Sequence, residues 1–303
     1  MPEAGIVIVT YESGAEIGAC LDAALPTRAE IVVVDNASGD DSCEQVRRRG
    51  VRLIANRENR GFAAAVNQGV RALDTPLVLL LNADAHLETG LEALVRCCRG
   101  PGVAGACGKL VDLAGRPQTG FTVRSLPSPA ALICEALLVN RLWPGNPINW
   151  HYRCLGFDFS APGFVEQPAG AFLMIRREVF EELGGFDEQF HPLWFEDVDF
   201  CWRAREMGYR MCYTPDAVAK HTGRHSLEKI SLEKQQLYWY CSFLRFAAKH
   251  YRPSTARMVC LAVLLGSIPR MILGMAAFRS LTPIEVYGKV MALAGKAFLR
   301  PAG

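Results

Sequence analysis

Pro76-Leu77-Val78-Leu79-Leu80-Leu81-Asn82-Ala83-Asp84 is the stretch on which the fold turns. Its unbroken apolar run, closed by polar residues, reads as a strand buried on both faces, the mark of a parallel sheet covered by helices. Asp84 puts a carboxylate where that strand stops, and in open α/β sheets ligands bind outside the carboxyl ends of the strands. Upstream, Ile31-Val32-Val33-Val34 runs into Asp35-Asn36-Ala37-Ser38 in the same way. Two acidic strand ends point to a site for a nucleotide and a divalent cation, and so to an enzyme.

Working outward, Ile6-Val7-Ile8-Val9 ends at Thr10-Tyr11-Glu12-Ser13-Gly14, a first strand and turn. Helices are expected over 15–25, 42–49 and 63–73, a third strand over 51–54, and a helix over 87–98 after the buried strand. This alternation predicts parallel strands with helices on both faces. Between 115 and 163 six prolines break the pattern, leaving an irregular insertion with one helical stretch near 130–142. Order returns with a strand over 172–175 and a helix over 177–183, stopped by Gly184-Gly185.

Of the 303 residues half are hydrophobic and 21% charged, enough for a sizeable core. The net charge of +2 hides an asymmetry: residues 226–303 carry +8 and residues 1–225 carry −6. An acidic body with a basic, apolar tail suits an anionic membrane surface, and nothing resembles a nucleic-acid recognition element. The 11 cysteines form no CxxC pair and no zinc-like spacing, so they read as small core residues in a reducing cytosol. Met1-Pro2-Glu3-Ala4-Gly5 leads straight into a strand, so no signal peptide is expected.

Four acidic or basic elements can carry chemistry. Asp35 can accept hydrogen bonds from a base or ribose, or simply cap the following turn. Asp84 suits a hard cation such as Mg²⁺ or Mn²⁺, which takes carboxylate oxygen together with substrate phosphates. In Glu196-Asp197-Val198-Asp199 a helix is expected to start near Asp197 and run to Met207, which puts Asp197 in the first turn, where it can take a proton from a hydroxyl. Asp199 can pair with Arg203 one turn on. His221, after the strand-like Ala217-Val218-Ala219-Lys220, is either structural or a metal ligand, and Arg224 could reach a phosphate.

Taken together these residues resemble the inverting glycosyltransferases of family 2, within them the bacterial rhamnosyltransferase-like branch. The resemblance lies in Ile8-Val9-Thr10-Tyr11, Val33-Val34-Asp35-Asn36-Ala37-Ser38, Asn59-Arg60-Gly61-Phe62 with Asn67, and Leu81-Asn82-Ala83-Asp84. It continues through Gly170-Ala171, Gly185-Phe186-Asp187, Phe195-Glu196-Asp197-Val198-Asp199 and His221, covering about residues 5–226. It implies an α/β GT-A nucleotide-diphospho-sugar transferase fold with a Rossmann-like mixed sheet. It also implies a nucleotide-sugar site of Thr10, Tyr11, Glu12, Asp35, Asn59, Gly61, Phe62, Asn67, Asn82 and Arg224. Asp84 and His221 would hold Mg²⁺ or Mn²⁺, Asp197 would be the catalytic base, and Gly170, Ala171, Trp194 and Glu196 would face the acceptor. The sequence departs from the family at Glu12, where Asn is frequent, and at Asn82-Ala83, where Asp or Pro is frequent.

Three segments follow: 1–114 as the nucleotide-sugar-binding half, 115–225 as the acceptor-side and catalytic half of the same domain, and 226–303 as a helical, basic and apolar, membrane-associating appendage. Residues 226–245 read as an amphipathic helix. The apolar stretch 258–278 is long enough to cross a bilayer at about 1.5 Å per residue. Pro269-Arg270 at its centre predicts two shorter segments lying in the interface instead. The expected activity is inverting transfer of a sugar to a glycan or polyprenyl-diphosphate-linked glycan, with dTDP-rhamnose as the donor through the resemblance alone. The expected location is cytoplasmic, peripheral on the inner face of the cell membrane. Two rivals stay open: a nucleotidyltransferase, although Thr10-Tyr11-Glu12-Ser13-Gly14 lacks a basic phosphate-loop residue, and a catalytically silent glycan-binding or scaffolding protein of the same fold. The missing GxGxxG after the first strand argues against a Rossmann dehydrogenase.

Overall fold

The computed structural model describes residues 3–223 and 230–299. Arg224, expected to reach a phosphate, lies outside the described residues. The chain divides into two compact units: Met1–Leu126, Arg153–Pro192 and Glu196–Lys229 form the first, and Pro127–Tyr152, Leu193–Phe195 and Ile230–Gly303 the second.

The first unit opens with β1 (Ala4–Thr10), α1 (Gly14–Ala24), β2 (Glu30–Asp35), α2 (Ser42–Arg48), β3 (Arg52–Ala55), α3 (Phe62–Ala72) and β4 (Leu77–Asn82). β3-β2-β1-β4 are neighbours in that order and all parallel. Their registers bring the polar strand ends level, Thr10 opposite Asp35 and Val9 opposite Asn82. Ile6, Ile8, Val33, Leu79 and Leu81 are buried in one apolar cluster.

Beyond β4 the expectation of a helix over 87–98 gives way to β5 (Ala85–Thr89), a turn at Gly90 (φ 90°) and α4 (Leu91–Cys98). The residues before Gly90 pair antiparallel with β11 (Arg210–His221), which claims them for the sheet. β6 (Val103–Val111) and the short β7 (Val123–Arg124) follow, and the chain then passes to the second unit through α5 (Pro129–Ala136), α6 (Val139–Leu142) and α7 (Pro147–Tyr152). The single helix expected over 130–142 is therefore two, broken where Leu138 adopts φ 67°. Back in the first unit come β8 (Gly163–Val165), β9 (Gln167–Pro168), β10 (Phe172–Arg176), α8 (Arg177–Glu182) and α9 (Glu196–Glu206). The sheet is mixed: β10 runs antiparallel between β4 and β6, β11 is parallel to β6, and β5 and β8 pair antiparallel with β11.

In the second unit α10 (Leu232–His250) buries Tyr240, Phe243 and Phe246, and Phe195 packs on Trp239, Phe243 and Phe246. α11 (Pro253–Phe278) runs unbroken through Pro269 and packs on α12 (Thr282–Leu299) and α5. The break expected at Pro269-Arg270 does not occur. The Arg270 guanidinium donates to Gly266 O at 2.8 Å, Glu135 O at 2.9 Å and Ala136 O, so a donor from the next residue meets a carbonyl near the proline while capping the end of α5.

Candidate active site

The ends of β1 and β2 form one hydrogen-bonded shelf. Asp35, 2% exposed, accepts at Oδ1 from Thr10 Oγ1 (2.8 Å) and Ser38 Oγ (2.6 Å), and at Oδ2 from Ser38 N (2.9 Å). Glu12, at φ 53°, donates its N–H to Ser38 Oγ and accepts Gly39 N at Oε1 (2.7 Å), stitching the two loops together. Tyr11 lies half-buried beside them. Asn36 Nδ2 donates to Gly61 O, and Asn59 Oδ1 accepts Gly61 N, which sets the turn into Phe62 against the same shelf. Asn67 is placed differently from the rest of the nucleotide set. It is buried, with Oδ1 accepting Phe186 N and Nδ2 donating to Phe186 O and Glu188 Oε1, so its amide is spent on holding the turn at Gly185-Phe186.

At the far side of β4, Asp84 and His221 meet because β5 and β11 pair with Ala85 opposite His221. Asp84 Oδ1 is 3.3 Å from His221 Nε2. Gln118 fixes the imidazole: its Nε2 donates to His221 O (2.7 Å) and its Oε1 lies 3.0 Å from Nδ1. Since that oxygen only accepts, Nδ1 carries the proton, leaving the Nε2 position turned to Asp84. Phe121 stacks on the ring at 5.2 Å and 9°. Burial works to raise the Asp84 carboxyl, but His221 and two backbone N–H groups more than offset it and hold it below its ordinary range.

The donor set fits a hard divalent ion. Neighbouring ligands on an octahedral cation about 2.1 Å away lie about 3 Å apart, close to the Asp84–His221 separation. Among the described residues no group of three His, Cys, Asp or Glu side chains converges, so further ligands would have to come from phosphate and water.

Asp197 lies in the first turn of α9. Its Oδ2 accepts Gly170 N (2.9 Å) and Gln167 Nε2 (3.3 Å), and its Oδ1 accepts Val198 N (2.8 Å). Burial raises its carboxyl; the Gly170 and Val198 N–H groups and the charge of Arg124 pull it back only in part, and it stays above the ordinary range. Gly170 is a close fit, since a Cβ there would lie 3.2 Å from Asp197 Cβ. Its neighbour Ala171 accepts Asn82 N at 3.0 Å. Asp197, Gly170, Ala171, Asn82 and Asp84 are thus linked within two hydrogen bonds and a few peptide units. Asp199, fully buried, pairs with Arg203 Nε at 2.7 Å, and Arg203 also donates to Leu183 O and Gly185 O, anchoring α9 to the glycine turn. Trp194, at φ 74°, belongs to the second unit.

Gln118, Phe121, Arg124 and Gln167 were not apparent in the sequence. They fall in or after the proline-punctuated stretch without periodicity, and Gln118 meets a histidine 103 residues away.

The family profile of glycosyltransferase-like family 2 matches residues 2–242. The chain belongs to that family and is a glycosyltransferase. It is 26% identical over 268 residues to N-acetylglucosaminyl-diphospho-decaprenol L-rhamnosyltransferase of Mycobacterium tuberculosis, covering 81% of this chain and 84% of that one. It is 24% identical over 242 residues to the O-antigen chain rhamnosyltransferase RfbN of Salmonella typhimurium, covering 73% and 67%. Among solved structures, mannosyltransferase PcManGT from Pyrobaculum calidifontis in complex with GDP-Man and Mn²⁺ superposes with a TM-score of 0.55 at 18% identity, covering 98% of this chain and 85% of that chain. TarS of S. aureus in complex with UDP-GlcNAc does so with a TM-score of 0.56 at 13% identity, covering 98% and 82%. These likenesses bear out the GT-A fold.

Proposed function

We propose that the chain transfers rhamnose, with inversion, from dTDP-rhamnose to a sugar carried on a polyprenyl diphosphate. The observation that carries the transferase geometry is the short link from Asp84 through Asn82, Ala171 and Gly170 to Asp197. Through it the end of β4, next to the carboxylate offered to the cation, is tied by backbone hydrogen bonds to the buried carboxylate offered as the base, which supports this reading. The Thr10, Glu12 and Asp35 shelf is offered to the nucleoside, with Asn59, Gly61, Phe62 and Tyr11 around it. Asp197 takes the proton of the acceptor hydroxyl, the hydroxyl oxygen bonds to the anomeric carbon, and the bond from that carbon to phosphate oxygen breaks, releasing the nucleoside diphosphate. Asp84 and His221 would hold Mg²⁺ or Mn²⁺, which when bound neutralises charge on the leaving diphosphate. The choice of donor and acceptor is supported by the names of the two rhamnosyltransferases to which the chain is similar.

The second unit supports a place on the cytoplasmic membrane surface. Met258, Leu261, Leu265, Ile268 and Ile272 are exposed on α11 at the spacing of one helical face, and Arg245, Lys249, Arg252, Arg257 and Arg279 supply cations along the same chain segment. An 18-residue window of the helix Pro253–Ala277 has a mean hydropathy of 1.9. The test is a screen of dTDP-, UDP- and GDP-sugars with Mg²⁺ or Mn²⁺ and then EDTA, with and without a short-chain polyprenyl-diphospho-N-acetylglucosamine and anionic vesicles. Metal-dependent nucleotide release from dTDP-rhamnose is expected. Release from another donor alone would reject the assigned sugar, and failure to pellet with the vesicles would reject the membrane surface.

A further inference from the structure

The two-stranded sheet of β7 and β9 sets Arg124 directly opposite Gln167. Residues opposite each other on paired strands present their side chains on one face. Gln167 reaches Asp197 from that face, its Nε2 donating to Oδ2 at 3.3 Å, and the charge of Arg124 acts on the same carboxylate. Arg124 is half-buried and held at two points. Its Nε donates to Gly120 O at 2.8 Å, and its guanidinium lies over the Phe121 ring, 5.7 Å from the ring centre. Phe121 in turn stacks on the imidazole of His221. The guanidinium is thus linked to the carboxylate offered as the base and, through one ring, to the imidazole offered to the cation. With Nε spent, its two Nη groups have no partner among the described residues. Arg116, Arg203 and Lys220 of the same unit are each paired with a carboxylate, on Asp112, Asp199 and Glu88 respectively.

We propose that Arg124 is a diphosphate-binding residue, its two Nη groups meeting phosphate oxygens beside Asp197. The inference rests on the reading of Asp197 as the base and of Asp84 and His221 as the cation site. The proposed reaction brings two diphosphates here, one leaving with the nucleoside and one joining the acceptor sugar to its polyprenyl chain. Both are polyanions, and residues 1–225 themselves carry −6. Asp84 takes up part of the charge of any divalent ion it holds, so a guanidinium not already paired with a carboxylate adds attraction that the ion lacks. Held at Nε, a guanidinium offers its two Nη groups as a planar fork that matches two phosphate oxygens. Contact with Phe121 sets the plane of that fork before any ligand arrives, which lowers the ordering cost of binding.

The test compares wild type with Arg124→Met, Arg124→Lys and, as a control for lost surface charge, Arg116→Met. Binding of dTDP, UDP and GDP with Mg²⁺ is measured by calorimetry, and acceptor KM with the short-chain polyprenyl-diphospho-N-acetylglucosamine. If the leaving diphosphate is the ligand, Arg124→Met should weaken the nucleoside diphosphate that wild type binds by about 10- to 100-fold, with affinity for the bare nucleoside unchanged. If the acceptor diphosphate is the ligand, acceptor KM should rise by a similar factor and nucleotide affinity should hold. Arg116→Met should match wild type in both. Arg124→Lys keeps the charge without the fork, and is the variant read if Arg124→Met melts several degrees low; it should bind more weakly than wild type, and wild-type affinity in it overturns the fork. Unchanged nucleotide affinity and acceptor KM in Arg124→Met overturn the proposal and leave the transferase reading standing. If kcat then falls and its pH profile moves to higher pH, Arg124 only positions and tunes Asp197. Failure of wild type to bind any of the three nucleotides would overturn the transferase reading and this proposal together.

Discussion

Replacing Gly170 by alanine perturbs the proposed base without touching its chemistry. The new Cβ would lie 3.2 Å from Asp197 Cβ and 3.3 Å from its Oδ2. Carbon atoms in contact settle at about 3.5–4.0 Å, so the Asp197 side chain must retreat by roughly 0.3–0.8 Å. A misplacement of about 1 Å can cost about 100-fold in rate, and scaling that exponentially gives a fall in kcat of roughly 4- to 40-fold. The assay is nucleotide release at saturating donor and acceptor, with donor KM and thermal melting measured in parallel. Donor KM should stay within about twofold and melting within a few degrees, because only one side chain has to move. A kcat within twofold of wild type would refute the placement of Asp197 as the base. A raised donor KM with unchanged kcat would refute it as well, assigning Gly170 to the donor site instead.

Gln118→Leu leaves His221 without its Nδ1 partner and should weaken Mn²⁺ affinity by about 10- to 100-fold, read from the metal dependence of nucleotide release, with little change in melting. Glu196 gives a pH test of stability. Burial, then the charges of Asp197 and Asp199, raise its folded carboxyl above its ordinary value of 4.5, so the folded state holds the extra proton and wild-type stability falls as pH rises above about 4.5. Melting temperatures of Glu196→Gln and wild type should therefore separate in favour of the variant between pH 4.5 and pH 7.5; curves that stay parallel would contradict this. Arg270→Met leaves Glu135 O and Ala136 O without their charged donor and should cost about 1.5–3 kcal/mol, a fall in Tm of roughly 3–10 °C.

Much of the first unit was legible because its signals are local. The apolar runs ending in Asp35 and Asn82 mark β2 and β4, and the alternation with helices gives the parallel half of the sheet. The rest depended on pairings that no local pattern announces. Ala85-His86-Leu87 joins a helix-like stretch in sequence, yet β11 draws it into the sheet. Arg270 read as a costly charge beside a helix-breaking Pro269, since its partners, the carbonyls at the end of α5, lie 134 and 135 residues away. The proximity of Asp84 to His221 follows from antiparallel register, which the chemistry of the two residues suggests but their spacing does not. Asn67 shows the opposite limit: its identity matched the motif, and only the structure reveals that both ends of its amide face Phe186.

The dipeptide Gly170-Ala171 has a consequence for how such a protein can change. Its amide grips Asp197 and its carbonyl grips the end of β4, so the proposed donor side and the proposed base are held by one piece of backbone. Neither can be retuned without the other feeling it. Under the proposed function, a change at this dipeptide should disturb both sides at once, whereas a change at a side chain that touches Asp197 alone, such as Gln167, should disturb only one.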